Sequence, residues 1–125
     1  MAPPAPRSDR PIFMELADQI ADDILAGAYP SGAQVPSTTE LSVHLRINPA
    51  TAGKALNRLV DQGVLERRRG LGMFVTPEGP DLLRAERSAK LAATYIAPLV
   101  AEAERLGVST ADLLTMIRHY TEDNS

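Results

Sequence analysis

Two groups of side chains carry the chemistry that this sequence offers. The first has helical spacing: Thr51, Lys54 and Arg58 lie at positions i, i+3 and i+7, so a helix places them on one side. The second is the run Arg67–Arg69, which Gly70 follows. Guanidinium and ammonium groups bind phosphate oxygens, and a glycine lets the backbone approach a surface closely. Both groups indicate binding to a polyanion. The alternatives are an ordinary solvated helix and a solubilising strand edge.

Charge is distributed unevenly along the chain. The net charge of the 125 residues is -3, yet residues 11–43 contain five acids and no lysine or arginine. Residues 44–75 contain six basic residues against two acids. The six are Arg46, Lys54, Arg58, Arg67, Arg68 and Arg69. A local basic patch on an acidic chain is typical of a surface that binds nucleic acid.

The apolar pattern predicts three helices that position these residues. The first covers residues 11–26, with an apolar stripe from Phe13 to Ile24. The second is short, because Ser37 and Glu40 have the spacing of a capping box and the pattern ends near residue 45. The third begins at Asn48, a good N-cap residue, and ends before Gly63. Two helices joined by a tight turn form a helix-turn-helix.

A basic β-hairpin is predicted directly after the third helix. Residues 64–65 and 73–75 are strand-like, and Gly70 and Gly72 mark the turn between them. A helix-turn-helix followed by such a hairpin is a winged helix, in which a basic wing contacts phosphates and the minor groove of DNA. The candidate DNA-contacting residues are Ser37, Thr38, Thr39, Arg46, Asn48, Ala50, Thr51, Lys54, Arg58, Arg67, Arg68, Arg69 and Gly70.

The C-terminal part of the chain has the pattern of a helical pairing surface. It follows a predicted hinge at residues 77–80, and Pro98 predicts a kink or break within it. Its apolar residues alternate in spacing between three and four, as the a and d positions of a coiled coil do. They are Leu82, Ala85, Ala89, Ala92, Ile96, Leu99, Ala103 and Leu106. A final helix begins at Ser109. Pairing with a second copy is favoured by the length of this seam, and folding back onto the winged helix is the alternative.

The sequence therefore predicts a mainly α fold with a small β-hairpin. We expect a disordered arm over residues 1–10, a winged helix-turn-helix domain over 11–78 and a helical dimerisation arm over 79–125. The chain has no cysteine and no apolar run of about 20 residues, which indicates a cytoplasmic protein without a membrane span. His44 and His119 are isolated in sequence, so we expect no enzymatic activity, metal or cofactor.

With these residues in place, the sequence resembles GntR-family transcriptional regulators of the short YtrA-like subfamily. The resemblance covers nearly the whole chain. It rests on residues 11–13, on Gly32 with residues 35–37 and 40–41, on residues 48–59, on the wing from Gly63 to Val75, and on residues 106–114. It implies a homodimer that binds an imperfect palindromic operator in double-stranded DNA. A repressor is the expected role, and an interaction module that binds an acidic protein partner is the alternative.

Four positions depart from the family pattern. Thr39 replaces an arginine that typically reads a guanine, and Arg46 replaces a glycine in the turn, which we therefore expect to adjust. Leu71 replaces an arginine of the wing, and Gly53 lies inside the third helix. These departures predict that affinity rests on phosphate contacts more than on base contacts. The sequence leaves open whether a small-molecule effector binds. Its candidate contacts would be Tyr95, Met116 and Tyr120.

Overall fold

The structure, a computed structural model, describes residues 10–125. Along these residues the elements are α1 (Ile12–Leu25), α2 (Thr38–Leu45), α3 (Pro49–Asp61), β1 (Leu65–Arg68), β2 (Gly72–Val75), α4 (Gly79–Leu91), a π-helical segment (Ala92–Ile96), α5 (Ala97–Arg105) and α6 (Thr110–Asp123). The predicted fold class is confirmed. The expected N-terminal arm lies outside the described residues except for Arg10, whose guanidinium lies 2.7 Å from the Asp18 carboxylate.

The core of the first compact unit lies between α1 and α3. The stripe of α1 that the sequence predicted is buried from Leu16 to Ile24 and half-buried at Phe13, and the apolar positions of α3 are buried. Leu56 and Leu59 are among the most completely buried side chains, at 0% and 1% exposure. Burying one such leucine stabilises a fold by about 1.5–3 kcal/mol. This packing holds α3 rigidly and leaves its other side to solvent.

The turn between α2 and α3 contains one residue whose backbone is in the left-handed helical conformation. The predicted capping box is present, because the Ser37 hydroxyl accepts from the Glu40 N–H and the Glu40 carboxylate accepts from the Ser37 N–H, both at 3.0 Å. Arg46 ends α2 with φ 56° and ψ 48°. The expectation that the turn adjusts around this arginine is wrong. The Ile47 N–H donates to the Ser42 carbonyl and the Ser42 hydroxyl donates to the Ile47 carbonyl at 2.7 Å, so local bonds hold the strained residue in place.

The predicted hairpin is present, and its strands pair antiparallel with Leu65 opposite Val75 and Arg67 opposite Met73. The connection before α2 adds a further row of backbone bonds to β2. The Val35 N–H donates to the Met73 carbonyl at 3.0 Å, and the Val75 N–H donates to the Ala33 carbonyl at 2.9 Å. The pattern of the connection showed only turn residues, so the sequence did not predict this pairing. It fixes the base of the hairpin to the core.

The expected hinge at residues 77–80 is instead a packed joint. The buried Thr76 hydroxyl donates to the carbonyl of Gly63 at 2.7 Å, and α4 begins at the buried Gly79. Leu83, at 2% exposure, belongs to the core of the first unit. The chain divides into two compact units after Ala85, which is inside α4 and beyond the boundary that we expected at residue 78. The first two turns of α4 therefore complete the winged-helix unit.

The second compact unit, residues 86–125, consists of the rest of α4, the π-helical segment, α5 and α6. The helix does not break at Pro98. The π-helical segment precedes it, and there the Ala97 N–H bonds to the carbonyl of Ala92, five residues back. A proline lacks an N–H and crowds the carbonyl four residues before it, so widening the preceding turn accommodates the ring.

The widened turn also interrupts the predicted pairing seam. One extra residue in a turn rotates all later positions by about 100°, so Leu99 and Leu106 do not continue the line of Ala89 and Ala92. Ala103 is buried at 6% exposure, whereas the other seven predicted pairing residues are exposed.

The candidate effector contacts Tyr95, Met116 and Tyr120 are also exposed. Their role in binding an effector stays a prediction. None of the helices over residues 10–125 is long and apolar enough to cross a bilayer.

Candidate nucleic-acid interface

The N-terminus of α3 is built as an exposed, well-capped helix end. The Asn48 side-chain oxygen accepts from the Ala50 N–H at 2.8 Å, which makes Asn48 the cap, and Pro49 fills the first helical position. Ala50 is exposed and Thr51 is half-buried. Because Ala50 has a short side chain, a surface can approach this end of the helix closely.

The N-terminus of α2 and the wing (residues 65–75) line one open groove of about 490 Å³. The groove brings together most of the hydroxyl and wing residues that the sequence singled out. They are Ser37, Thr38, Thr39, Arg67, Arg68, Arg69 and Gly70. The first N–H groups of a helix have no partner within it and carry a partial positive charge. An anion in this groove would therefore meet helix N–H groups on one side and guanidinium groups on the other.

The three consecutive wing arginines do not point the same way. Successive side chains of a strand point to opposite faces, so Arg67 shares the inner face with Met73 and Arg68 shares the outer face with Phe74. The Arg68 guanidinium lies 4.2 Å from the centroid of the Phe74 ring and 2.9 Å from the Glu66 carboxylate. Arg67 donates to the Asn57 side-chain oxygen at 2.7 Å. Arg69, in the turn, has no hydrogen bond or ion pair to any part of the chain that the structure describes.

Lys54 and Arg58 lie in a second depression, which is separate from the groove. It is lined by Phe13 of α1 and by α3 residues that include Asn57 and Asp61. The Lys54 ammonium lies 5.9 Å from the centroid of the Phe13 ring, at the outer limit of a cation–π contact. The exposed Lys54 ammonium therefore remains available to an anion, and Arg58 beside it is half-buried. Arg46 is exposed at the turn before α3.

Two residues of this surface were not singled out from the sequence. Gln34 donates to the Leu71 carbonyl at the wing tip at 2.8 Å, across 37 residues of sequence. Asn57 accepts from Arg67, which is 10 residues later. A signal for Asn57 was present, because it lies three residues after Lys54 and seven after Ala50 on one helical stripe. Gln34 gave no such signal, because it lies in a turn-rich connection.

The other three departures from the family pattern, at Gly53, Thr39 and Leu71, lie where side chains have room or face solvent. A Cβ added at Gly53 would lie 4.0 Å from the nearest atoms of the Thr38 side chain, so the position has room for a methyl group. Thr39 is exposed at the second position of α2, and Leu71 is 65% exposed at the wing tip. Among residues 10–125 there is no group of His, Asp or Glu side chains that could hold a metal ion.

Comparisons with known proteins agree with this geometry. The pattern of bacterial regulatory proteins of the gntR family matches residues 14–75. The HTH-type transcriptional repressor YtrA of Bacillus subtilis is 28% identical over 118 residues, which cover 94% of this chain and 90% of that protein. A putative GntR-family transcriptional regulator from Bacteroides thetaiotaomicron has a crystal structure that matches with a TM-score of 0.74 and 26% identity, over 92% of this chain and 100% of that one.

A structure with DNA is also similar. The structure of AraR(DBD) in complex with operator ORR3 matches with a TM-score of 0.53 and 26% identity, over 61% of this chain and 92% of that chain. These findings do not favour the alternative of a module that binds an acidic protein partner. The chain is a non-enzymatic, DNA-binding transcriptional regulator, and it belongs to the GntR family of bacterial regulatory proteins as a YtrA-like member.

Proposed function

We propose that two copies of this chain form a homodimer that binds an imperfect palindromic operator in the cytoplasm and represses transcription. The observation that carries the DNA-binding part is the groove shared by the N-terminus of α2 and the wing. It adjoins a capped helix, α3, whose solvent side carries Lys54 and Arg58. An acidic chain with six of its thirteen basic residues within residues 44–75 has one surface that suits duplex DNA.

In this proposal α3 is the recognition helix and lies in the major groove. Ala50 and Thr51 at its N-terminus approach base edges, and a thymine methyl suits Ala50. Lys54 contacts a phosphate or a base. The helix end at Thr38 and Thr39 receives a backbone phosphate, because its N–H groups are unpaired within the helix. Arg69 and Gly70 at the wing tip reach the flanking minor groove.

The homodimer is supported by the apolar surface of the second unit. Ile96, Leu99 and Leu106 are 48%, 43% and 69% exposed in the single chain. Residues of α6, among them Leu114 and Ile117, are also exposed, at 55% and 42%. So many exposed large apolar side chains within one small unit indicate an interaction site. A second copy covers it in this proposal, and a two-fold dimer then matches a palindromic operator.

Repression is supported by the name of the Bacillus subtilis relative, a transcriptional repressor that is similar along nearly its whole length. A dimer seated on a promoter-proximal operator represses by excluding other proteins from that DNA. This part of the proposal is tested by a reporter gene placed behind the selected operator. Expression that falls when the chain is supplied supports repression, and expression that rises contradicts it.

The DNA-binding part is tested by titrating duplex DNA with the full chain at several salt concentrations. Each phosphate that the protein neutralises contributes about -0.9 to the slope of log K against log salt. The Lys54→Ala variant should bind more weakly and lose about one unit of slope. Lys90→Ala is the matched control, because Lys90 pairs with Glu86 in the second unit at 2.9 Å. It should leave the slope unchanged. Salt-independent binding, or none, contradicts the proposal.

A further inference from the structure

The geometry points to Asn57 and Arg67 as a positioning pair that sets the place of the wing relative to the recognition helix. This inference rests on the proposed DNA binding and assigns different roles to neighbouring arginines. Arg67 acts through Asn57 and contributes no phosphate contact of its own. Arg69 is the wing arginine that meets DNA.

The first support is the direction of the two side chains. Arg67 projects from the inner face of the hairpin, opposite Met73, which is 8% exposed. Its Nη2 lies 2.7 Å from Asn57 Oδ1 on α3. This is a short, charge-assisted hydrogen bond between the middle of the wing and the exposed stripe of the helix. It connects two elements that backbone bonds do not join at this point.

The second support is the way the rest of the wing is held. Backbone bonds from Ala33 and Val35 fix the side of β2, and the Gln34 amide holds the Leu71 carbonyl at the tip. A Cβ at Gly72 would lie 2.6 Å from Gln34 Nε2, so the amide passes close over the turn. All of these bonds act on the β2 side of the wing or on its tip. Among residues 10–125, the Asn57–Arg67 bond is the side-chain hydrogen bond that joins α3 to the β1 side of the wing.

The third support is the energetic effect of DNA on this bond. Both side chains are exposed in the free protein, where competing water weakens the bond without abolishing it, so the bond restrains the wing only modestly. A duplex that covers α3 and the wing excludes that water and strengthens the interaction. The remaining lone pair of the Asn57 oxygen and its NH2 group stay available, so the bond orients the amide without using it up.

The test replaces Arg67 and Arg69 each with methionine and with glutamine. Glutamine retains a donor without the charge, and methionine retains length without a donor. At Arg67, methionine should weaken operator binding by about 3- to 10-fold, the range expected for one hydrogen bond. Glutamine should restore part of that loss, and neither variant should change the salt slope. At Arg69, both variants should weaken binding equally and reduce the slope by about one unit.

Asn57→Ala completes the design. In this background Arg67→Met should have no further effect on binding, because the pair is already broken. An equal further loss, or a slope reduced by one unit at Arg67, would show that Arg67 contacts phosphate and would overturn the inference.

NMR order parameters of the wing amides provide a measurement without DNA: they should fall in free Arg67→Met and stay unchanged in free Arg69→Met. Unchanged values in both variants overturn the inference. Failure of the unmodified chain to bind any duplex instead contradicts the proposed function, and the order parameters still decide the role of the pair.

Discussion

Replacing Gly53 with alanine should stabilise the protein, because this glycine lies in the middle of α3 without a steric reason. Alanine is favoured over glycine in a helix interior by about 1 kcal/mol. The new methyl group would meet only Thr38 Cγ2 and Oγ1, both 4.0 Å away, which is ordinary contact distance or more. The full propensity gain should therefore appear in the free energy of unfolding.

Equilibrium urea denaturation followed by helical circular dichroism measures this change. With a urea m-value of about 1–3 kcal/mol/M, a gain of about 1 kcal/mol moves the midpoint up by roughly 0.3–1 M. Gly79→Ala is the matched control, since it adds the same methyl group to another helical glycine. There the Cβ would lie 2.6 Å from the Val64 carbonyl oxygen, so this variant should lose about 1–3 kcal/mol. A Gly53→Ala midpoint at or below that of the original chain would refute the reasoning for α3.

Three further substitutions test other parts of the structure. Arg46→Gly should raise the free energy of unfolding by about 1 kcal/mol, because it relieves the left-handed residue, and it should weaken DNA binding. Arg46→Asn, which tolerates this conformation, is its control in both denaturation and DNA titration. Ser37→Ala should cost about 1 kcal/mol in the same denaturation assay, because it removes half of the capping box. Leu99→Glu should shift sedimentation velocity toward the monomer, whereas an unchanged dimer would place the pairing surface elsewhere.

The winged-helix elements were predictable because their signals are local. The apolar stripes of α1 and α3, the capping pair at Ser37 and Glu40, and the glycines of the hairpin act within a few residues of sequence. The packed start of α4 was not predictable in the same way. Pro77 and Gly79 indicate a hinge locally, whereas the Thr76 bond to Gly63 and the close approach of Gly79 to Val64 depend on contacts across the fold.

The candidate interface was predictable in composition but not in arrangement. The sequence identified the basic residues, yet the directions of Arg67 and Arg68 depend on strand register, and their partners depend on contacts across the fold. Gln34 and Leu71 are 37 residues apart, so no local pattern connects them. The π-helical segment before Pro98 is similar: the proline signals a disturbance, and the local pattern does not say whether the helix widens or breaks.

Selection of bound sequences from random duplex DNA by the full chain tests the central claim most directly. We expect enrichment of an inverted repeat with half-sites roughly one helical turn apart. We also expect a preference over random DNA below about 10⁵-fold, because Thr39 and Gly53 offer few base contacts. Enrichment of no sequence, or of a site without two-fold symmetry, would contradict the account of a dimeric operator-binding regulator.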